Sequence, residues 1–501
     1  MFRIIAVLLG LSPLFVFECA LRVLDVGRRK PDETDPFVGF AGRDPLFLLD
    51  RESGQYNTDP ARIGYFRPQT FPAKKPGGTF RIFCLGGSTV QGRPFAVETS
   101  FSSWLGLSLK AADPSRNWEV INCGGISYAS YRLAPILEEV LSYEPDLIVL
   151  YTGHNEFLEK RTYPRLANLP GPILSLLDYA GRLRTFAVLR RGVEAVTGRS
   201  ADRINQDRPI LPTEVEALLD YKGGLETYHR DDAWRRGVIE HFGFNLRRMI
   251  NMAHARGVRV LLANPVVNLE TPPFKSEHRA GLSVGDRTRF ETLWDEARSL
   301  YGRSLPDAVK ILERVRDLDD EHAGIWYTLG TCQQRLNKLD AARESLDRAR
   351  NLDICPLRIL SPMNNLIREI AAETETPLVD IQALFAGRSP GGITGNSWLI
   401  DHVHPTIAGH KLIARALLDE LVRLGWARAP RAGWEAERDR LYTLQLDSLG
   451  DFYYLKSEQR LNNLKAWARG RIERARVPGP VTQPPPTTPR QSGERDFSRS
   501  N

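Results

Sequence analysis

Four short stretches of this 501-residue chain combine residue types that could serve as nucleophile, base and hydrogen-bond donor. Gly86-Gly87-Ser88-Thr89-Val90-Gln91-Gly92 follows an apolar run, and its small residues let the backbone turn sharply and leave Ser88 exposed. By itself this segment reads equally as a Gly-Ser turn or a phosphate-cradling loop. Asn122-Cys123-Gly124-Gly125-Ile126-Ser127-Tyr128 and Thr152-Gly153-His154-Asn155-Glu156 each follow a further run and supply backbone N–H groups, or an amide side chain, of the kind a developing oxyanion requires. A lone Asn155 would otherwise cap its own turn. Near the far end stands Asp401-His402-Val403-His404-Pro405. An aspartate three residues before a histidine, on a tight turn that opens a helix, can hold the imidazole Nδ1–H while Nε2 faces a serine. The plain alternative is a capped helix start carrying a surface histidine.

These stretches can meet only if the elements before them are arranged side by side. The runs Phe80–Leu85, Trp118–Asn122, Asp146–Tyr151, Val258–Ala263 and Pro377–Ile381 are short and rich in β-formers, and they alternate with helical patterns. Several are continuously apolar, the mark of strands covered on both faces. The expected core is therefore α/β, a parallel five-stranded sheet between two helical layers, with its chemistry at the carboxyl ends of the strands.

Two stretches interrupt that alternation. Residues 158–234 read as helices with polar loops. Between the fourth and fifth runs, Ala308 and Ala342 are 34 residues apart, as are Leu312 and Leu346, Leu318 and Leu352, and Asp319 and Asp353. That period, with Trp326, Leu329, Gly330, Ala342, Leu346 and Ala349 in the expected positions and Gln333 where tyrosine is preferred, is the tetratricopeptide signature. About two helix pairs are expected over 289–355, a surface for a protein partner. The remaining divisions are an N-terminal segment at 1–26, a linker at 27–78, a catalytic body over 79–426, C-terminal helices at 427–476 and a basic, Pro-rich disordered tail at 477–501.

Taken in order, the four stretches resemble the four blocks of the SGNH, or GDSL-like, hydrolase family. Gly87-Ser88-Thr89 stands for G-x-S, Asn122 opens the second block, Asn155 lies in the third, and Asp401 and His404 form the D-x-x-H of the fourth. The resemblance covers Phe80 to about Leu424, insertions aside. It implies a flavodoxin-like three-layer fold and a Ser88, His404, Asp401 triad. It also implies an oxyanion hole from Ser88, Ser127 and Asn155, and activity on an ester with neither cofactor nor metal. Two departures matter. Ser127 replaces a glycine, so Gly124 or Gly125 is an alternative donor if the turn is re-registered, and Glu156 replaces an aspartate. The expected substrate is an O-acyl ester, with a cell-envelope carbohydrate as carrier; transfer to a sugar hydroxyl is the alternative to hydrolysis. A rival of another class is a protein-binding scaffold with a vestigial core.

Two competing sites are weighed on context. Gly387-Arg388-Ser389-Pro390-Gly391 satisfies G-x-S-x-G, but that elbow needs a helix directly after its serine, whereas glycines and a proline continue here. Asp401, His402, His404, His410 and His154 could suit zinc or iron, yet their spacing does not form H-E-x-x-H.

Composition narrows the rest. Hydrophobic residues are 42% and charged residues 26%, which excludes global disorder and a polytopic membrane protein. The net charge of +7 is concentrated after Lys456, where ten lysines and arginines face four acids, so the body is near neutral and nucleic acid is not an expected partner. The five cysteines show no C-x-x-C spacing. Arg3 followed by the apolar run Ile4–Phe17, with no small-x-small cleavage site after it, reads as a retained membrane anchor with an exported, periplasmic body. Arg28, Arg29 and Lys30 pull toward the opposite orientation.

Overall fold

In the computed structural model, five strands lie parallel in the spatial order β5-β4-β6-β7-β8. They are β4 (Thr79–Gly86), β5 (Asn117–Gly124), β6 (Leu147–Tyr151), β7 (Arg259–Ala263) and β8 (Leu378–Val379). A three-stranded antiparallel sheet precedes them, made of β1 (Phe47–Asp50), β2 (Gln55–Thr58) and β3 (Thr70–Pro72). The structure describes residues 17–21, 45–159, 185 and 224–471, and the side chains as far as residue 463. Most of the expected anchor, most of the 158–234 insertion and the tail from 477 lie outside the described residues. No helix among the described residues is long and apolar enough to cross a membrane.

The helices, in chain order, are α1 (Ser88–Gln91), α2 (Phe101–Ala112), α3 (Ser130–Val140), α4 (Asp232–His254), α5 (Val284–Leu300), α6 (Leu305–Leu318) and α7 (Ala323–Arg335). They continue with α8 (Leu339–Leu352), α9 (Ser361–Glu373), α10 (Ile381–Ala386), α11 (Ile407–Arg423), α12 (Trp434–Asp447) and α13 (Asp451–Arg471). Successive side chains of a strand point to opposite faces, so a run buried throughout must be covered twice. On β4, Phe80, Ile82 and Cys84 pack with Trp104, Leu105 and Leu109 of α2 and Ile413, Leu417 and Leu421 of α11. The opposite face receives Phe83 and Leu85, both without solvent exposure, and there α3 packs on α4 and α4 on α9. The result is a three-layer α/β/α core with helical insertions, as the apolar runs predict.

The antiparallel sheet lies within residues 27–78, the span expected as a linker and N-terminal segment. Its strands are three or four residues long, and aromatic packing stabilises them more than pattern does. Phe47 and Tyr56 meet Phe71 and Tyr143 with ring centroids 4.4–6.0 Å apart.

Between β7 and β8 the chain forms two antiparallel helix pairs, α5 with α6 and α7 with α8. Gly330 explains one motif position physically: a Cβ there would come within 2.8 Å of Leu346, so only glycine lets α7 lie this close to α8. A separate unit comprises residues 1–45 and 160–216, in which Phe17–Leu21 is helical and the Thr185 N–H and hydroxyl each donate to Glu18 Oε2 at 2.9 Å.

Candidate active site

The carboxyl ends of β4, β5 and β6 are level, with Gly86 registered against both Gly124 and Tyr151. The strand order reverses at β4, which makes this edge the topological switch point where such sheets bind ligands. Ser88 begins α1 immediately beyond β4, and Asn155 follows β6. A Cβ on Gly87 would sit 2.6 Å from Asn155 Nδ2, so glycine is required for the amide to lie against the serine turn. Asn122 fastens α1 from beneath: its Nδ2 donates to Val90 O at 2.7 Å and to Ser102 Oγ at 2.8 Å. Gln91 ties the other end, donating to Tyr65 O at 2.7 Å.

His404 reaches this edge from a loop 316 residues further along the chain, and its Nε2 lies 2.8 Å from Ser88 Oγ. Its Nδ1 is 2.7 Å from Asp401 Oδ2. The other carboxylate oxygen, Oδ1, accepts the backbone N–H groups of Val403 at 2.9 Å and His404 at 2.7 Å. Burial alone would raise the Asp401 carboxyl. The His404 and His402 imidazoles, with the hydrogen bonds from His404, outweigh it and hold the group well below the usual carboxylate range. An ionised carboxylate only accepts, so Nδ1 must carry the ring proton and Nε2 presents its lone pair to the serine. The loop is fixed from outside by Asn268, whose Nδ2 donates to Asp401 O at 2.9 Å and whose N–H donates to His402 O at 3.0 Å.

The turn after β5 separates the alternative donors. The Gly124 N–H donates to Asn122 Oδ1 at 2.9 Å and the Gly125 N–H to Gly86 O at 2.9 Å, so both are already engaged within the turn. The N–H groups of Ile126 and Tyr128 are also engaged, by Tyr65 O and Gly125 O. Those of Ser88 and Ser127 meet no protein acceptor among the described residues. Ser127 adopts φ 62°, a left-handed conformation that favours glycine and costs a serine of order 1–2 kcal/mol. Asn155 spends one amide N–H on Tyr128 O at 3.1 Å and retains the other. Glu156 is accounted for by its length: it is fully buried, and its carboxylate accepts the Ser130 N–H at 2.7 Å and the Ser130 hydroxyl at 3.0 Å, capping α3.

Residues of the competing sites make local hydrogen bonds. Ser389 donates its hydroxyl to Phe385 O at 2.8 Å. His410 Nδ1 accepts the Phe101 N–H, and His154 Nδ1 accepts that of Ile359. Among the described residues no three metal-ligating side chains converge. A cavity of about 530 Å³ lies elsewhere, against α8, α9 and α10, and neither Ser88 nor His404 lines it.

Asn122 and Gln91 stand in the motifs without a task that the sequence assigns, and Asn268 stands outside them. The residue directly after the fourth apolar run is Asn264, whose Nδ2 donates to Asp380 Oδ1 at 2.8 Å; Asn268 comes four residues later.

No family model matches the sequence, and no curated protein matches it. Among solved structures the chain is similar to a lipase/acylhydrolase from Enterococcus faecalis, at 14% identity and a TM-score of 0.32, over 70% of this chain and 100% of that one. It is similar to the acetyl xylan esterase AlAXEase at 13% identity and a TM-score of 0.32, over 68% and 100%. A GDSL-like lipase from Bacteroides thetaiotaomicron matches at 11% identity and a TM-score of 0.29, over 69% and 88%.

Proposed function

We propose that the protein is a serine ester hydrolase of the SGNH type. The observation that carries the reading is the pair of contacts on His404: 2.8 Å from Nε2 to Ser88 Oγ and 2.7 Å from Nδ1 to Asp401 Oδ2. His404 takes the Ser88 proton as the oxygen attacks an ester carbonyl, and Asp401 stabilises the imidazolium that forms. The Ser88 and Ser127 N–H groups and the free amide N–H of Asn155 receive the oxyanion. Each such donor lowers the barrier by about 3 kcal/mol. The imidazolium returns its proton to the leaving alcohol, and water then releases the acyl group by the same steps in reverse order.

The substrate class we carry forward is an O-acyl ester on a cell-envelope carbohydrate. It is supported by the family resemblance and by the apolar run Ile4–Phe17, which we assign to membrane retention of an exported body. The two helix pairs over 284–352 we assign to tetratricopeptide-type binding of a protein partner. A fluorophosphonate probe tests the central reading. Labelling of the native protein and its loss in Ser88→Ala are expected; a folded protein that takes no label is a scaffold instead. Product analysis with a sugar acceptor distinguishes transfer from hydrolysis.

A further inference from the structure

Some buried arginines of this chain are held by carboxylates and carbonyls. Arg81, without solvent exposure, donates to Glu119, Tyr143 O and Pro72 O, and Arg132 makes a two-pronged pair with Glu159 at 2.6 and 2.7 Å. Two arginines beside Ser88 are not. Arg93 follows α1 directly, its backbone N–H donating to Ser88 O at 3.1 Å. Arg67 follows Tyr65, whose carbonyl receives both Gln91 of the serine turn and the Ile126 N–H of the Ser127 turn. The Nε atoms of Arg67 and Arg93 are both shielded from solvent and without a partner, and neither guanidinium makes an ion pair among the described residues. Burial, and next the charge of Arg67, push the Arg93 guanidinium down from its ordinary value. The carboxylate that acts on Arg93, Asp401, is already engaged by His404. A third cation closes the group: Arg460 of α13 donates to Pro94 O at 2.9 Å and Phe95 O at 2.6 Å and feels Arg67, Arg93 and, across the same loop, Glu98.

Like charges held together under partial burial are unfavourable unless an anion joins them, and the guanidinium fork matches a carboxylate or phosphate with two parallel N–H bonds. We propose that Arg67 and Arg93 form a cationic subsite beside Ser88, which selects ester substrates bearing a carboxylate or phosphate group near the scissile bond. The inference rests on the serine-hydrolase reading for its reaction but not for its binding.

Three acetate esters of one shape test it: 4-acetoxybenzoate, 4-acetoxyphenyl phosphate and the neutral 4-acetoxybenzamide. With rates normalised to uncatalysed hydrolysis, kcat/KM for at least one anionic ester should exceed that for the benzamide by about tenfold or more, as expected for a charge-assisted contact. Which anion gains more identifies the group. The ratio should fall toward one in the Arg67→Gln/Arg93→Gln variant and as salt rises, and most of it should survive in Arg67→Lys/Arg93→Lys, which keeps the charge. A ratio near one in the native protein, or one unchanged by the glutamines, overturns the subsite. Binding of the same esters to Ser88→Ala, followed by ligand-observed NMR, decides the matter without catalysis. Tighter binding of an anionic ester, weakened by the two glutamines, supports the subsite even where no ester is hydrolysed and no probe reacts, whereas equal binding of all three overturns it.

Discussion

Strand β4 has two ends that treat charge in opposite ways. At its start the Arg81 guanidinium has three acceptors, one carboxylate and two backbone carbonyls; its backbone N–H donates to Asp146 at 2.7 Å, and the guanidinium lies 5.3 Å from the centroid of the Phe71 ring. At its finish stand Ser88, two backbone N–H groups and the Nε atoms of two arginines, none of which meets a protein acceptor among the described residues. Burying a polar group unpaired costs free energy, so the first end is arranged for stability and the second retains unspent hydrogen-bonding capacity. The lesson is that an unsatisfied donor at a sheet's carboxyl edge is informative because the same chain satisfies its donors so fully at the other edge.

That contrast can be broken by substitution at either end. The largest effect is expected at the finish: Ser88→Ala should lower ester hydrolysis by roughly 10⁴-fold or more while leaving the thermal midpoint nearly unchanged, and a matching loss of stability would count against the division. At the start, Arg81→Ala should cost about 3–5 kcal/mol in urea unfolding, because Glu119 loses its partner. The residual folded fraction should turn over normally. Asn155→Ala should sharpen the picture of the finish by lowering kcat roughly 10²-fold with little change in KM, as loss of an oxyanion donor does.

The smallest predicted effect is a pH dependence. Burial holds His402 at about 4 and His410 at about 3, both below the ordinary histidine value. His402 also faces Asp401, His404 and Arg358, and His410 faces His404 and the Phe101 N–H. Between about pH 6.5 and 4 the unfolded chain binds protons that the folded chain refuses, so stability is full above that window and is lost as pH falls through it. A drop of about 2.5 kcal/mol between pH 7 and 5.5 is expected from urea midpoints, and His410→Asn should flatten the slope.

What could be read from the sequence follows from which forces are local. Leu147–Tyr151 announces a doubly covered strand because burial on both faces needs an apolar residue at every position. The 34-residue spacing announces paired helices because each pair must repeat its contacts. Strand β8 is only Leu378–Val379, since Pro377 has no N–H to give and the Asp380 side chain caps α10 by accepting the Ala383 N–H. Strands β1 to β3 were illegible: four-residue stretches such as Gln55-Tyr56-Asn57-Thr58 derive their order from rings that arrive from distant segments. At the edge, the motifs indicated Ser88, Asn155, Asp401 and His404 but could not choose among Gly124, Gly125 and Ser127. That choice depends on which N–H group is already occupied, and occupancy exists only in three dimensions. The same holds for Arg67 and Arg93, whose residue type is ordinary and whose Nε atoms meet no acceptor among the described residues.

The 316-residue separation of Ser88 and His404 has a temporal meaning as well. At a ribosome's pace of about 5–20 residues per second, the hydroxyl leaves the tunnel roughly 15–60 s before its imidazole is even polymerised. Throughout synthesis, and throughout any unfolded passage across a membrane, the serine is an ordinary alcohol, harmless to the acylated molecules around it. On the proposed reading, completing its own tertiary structure is the act that arms the chain.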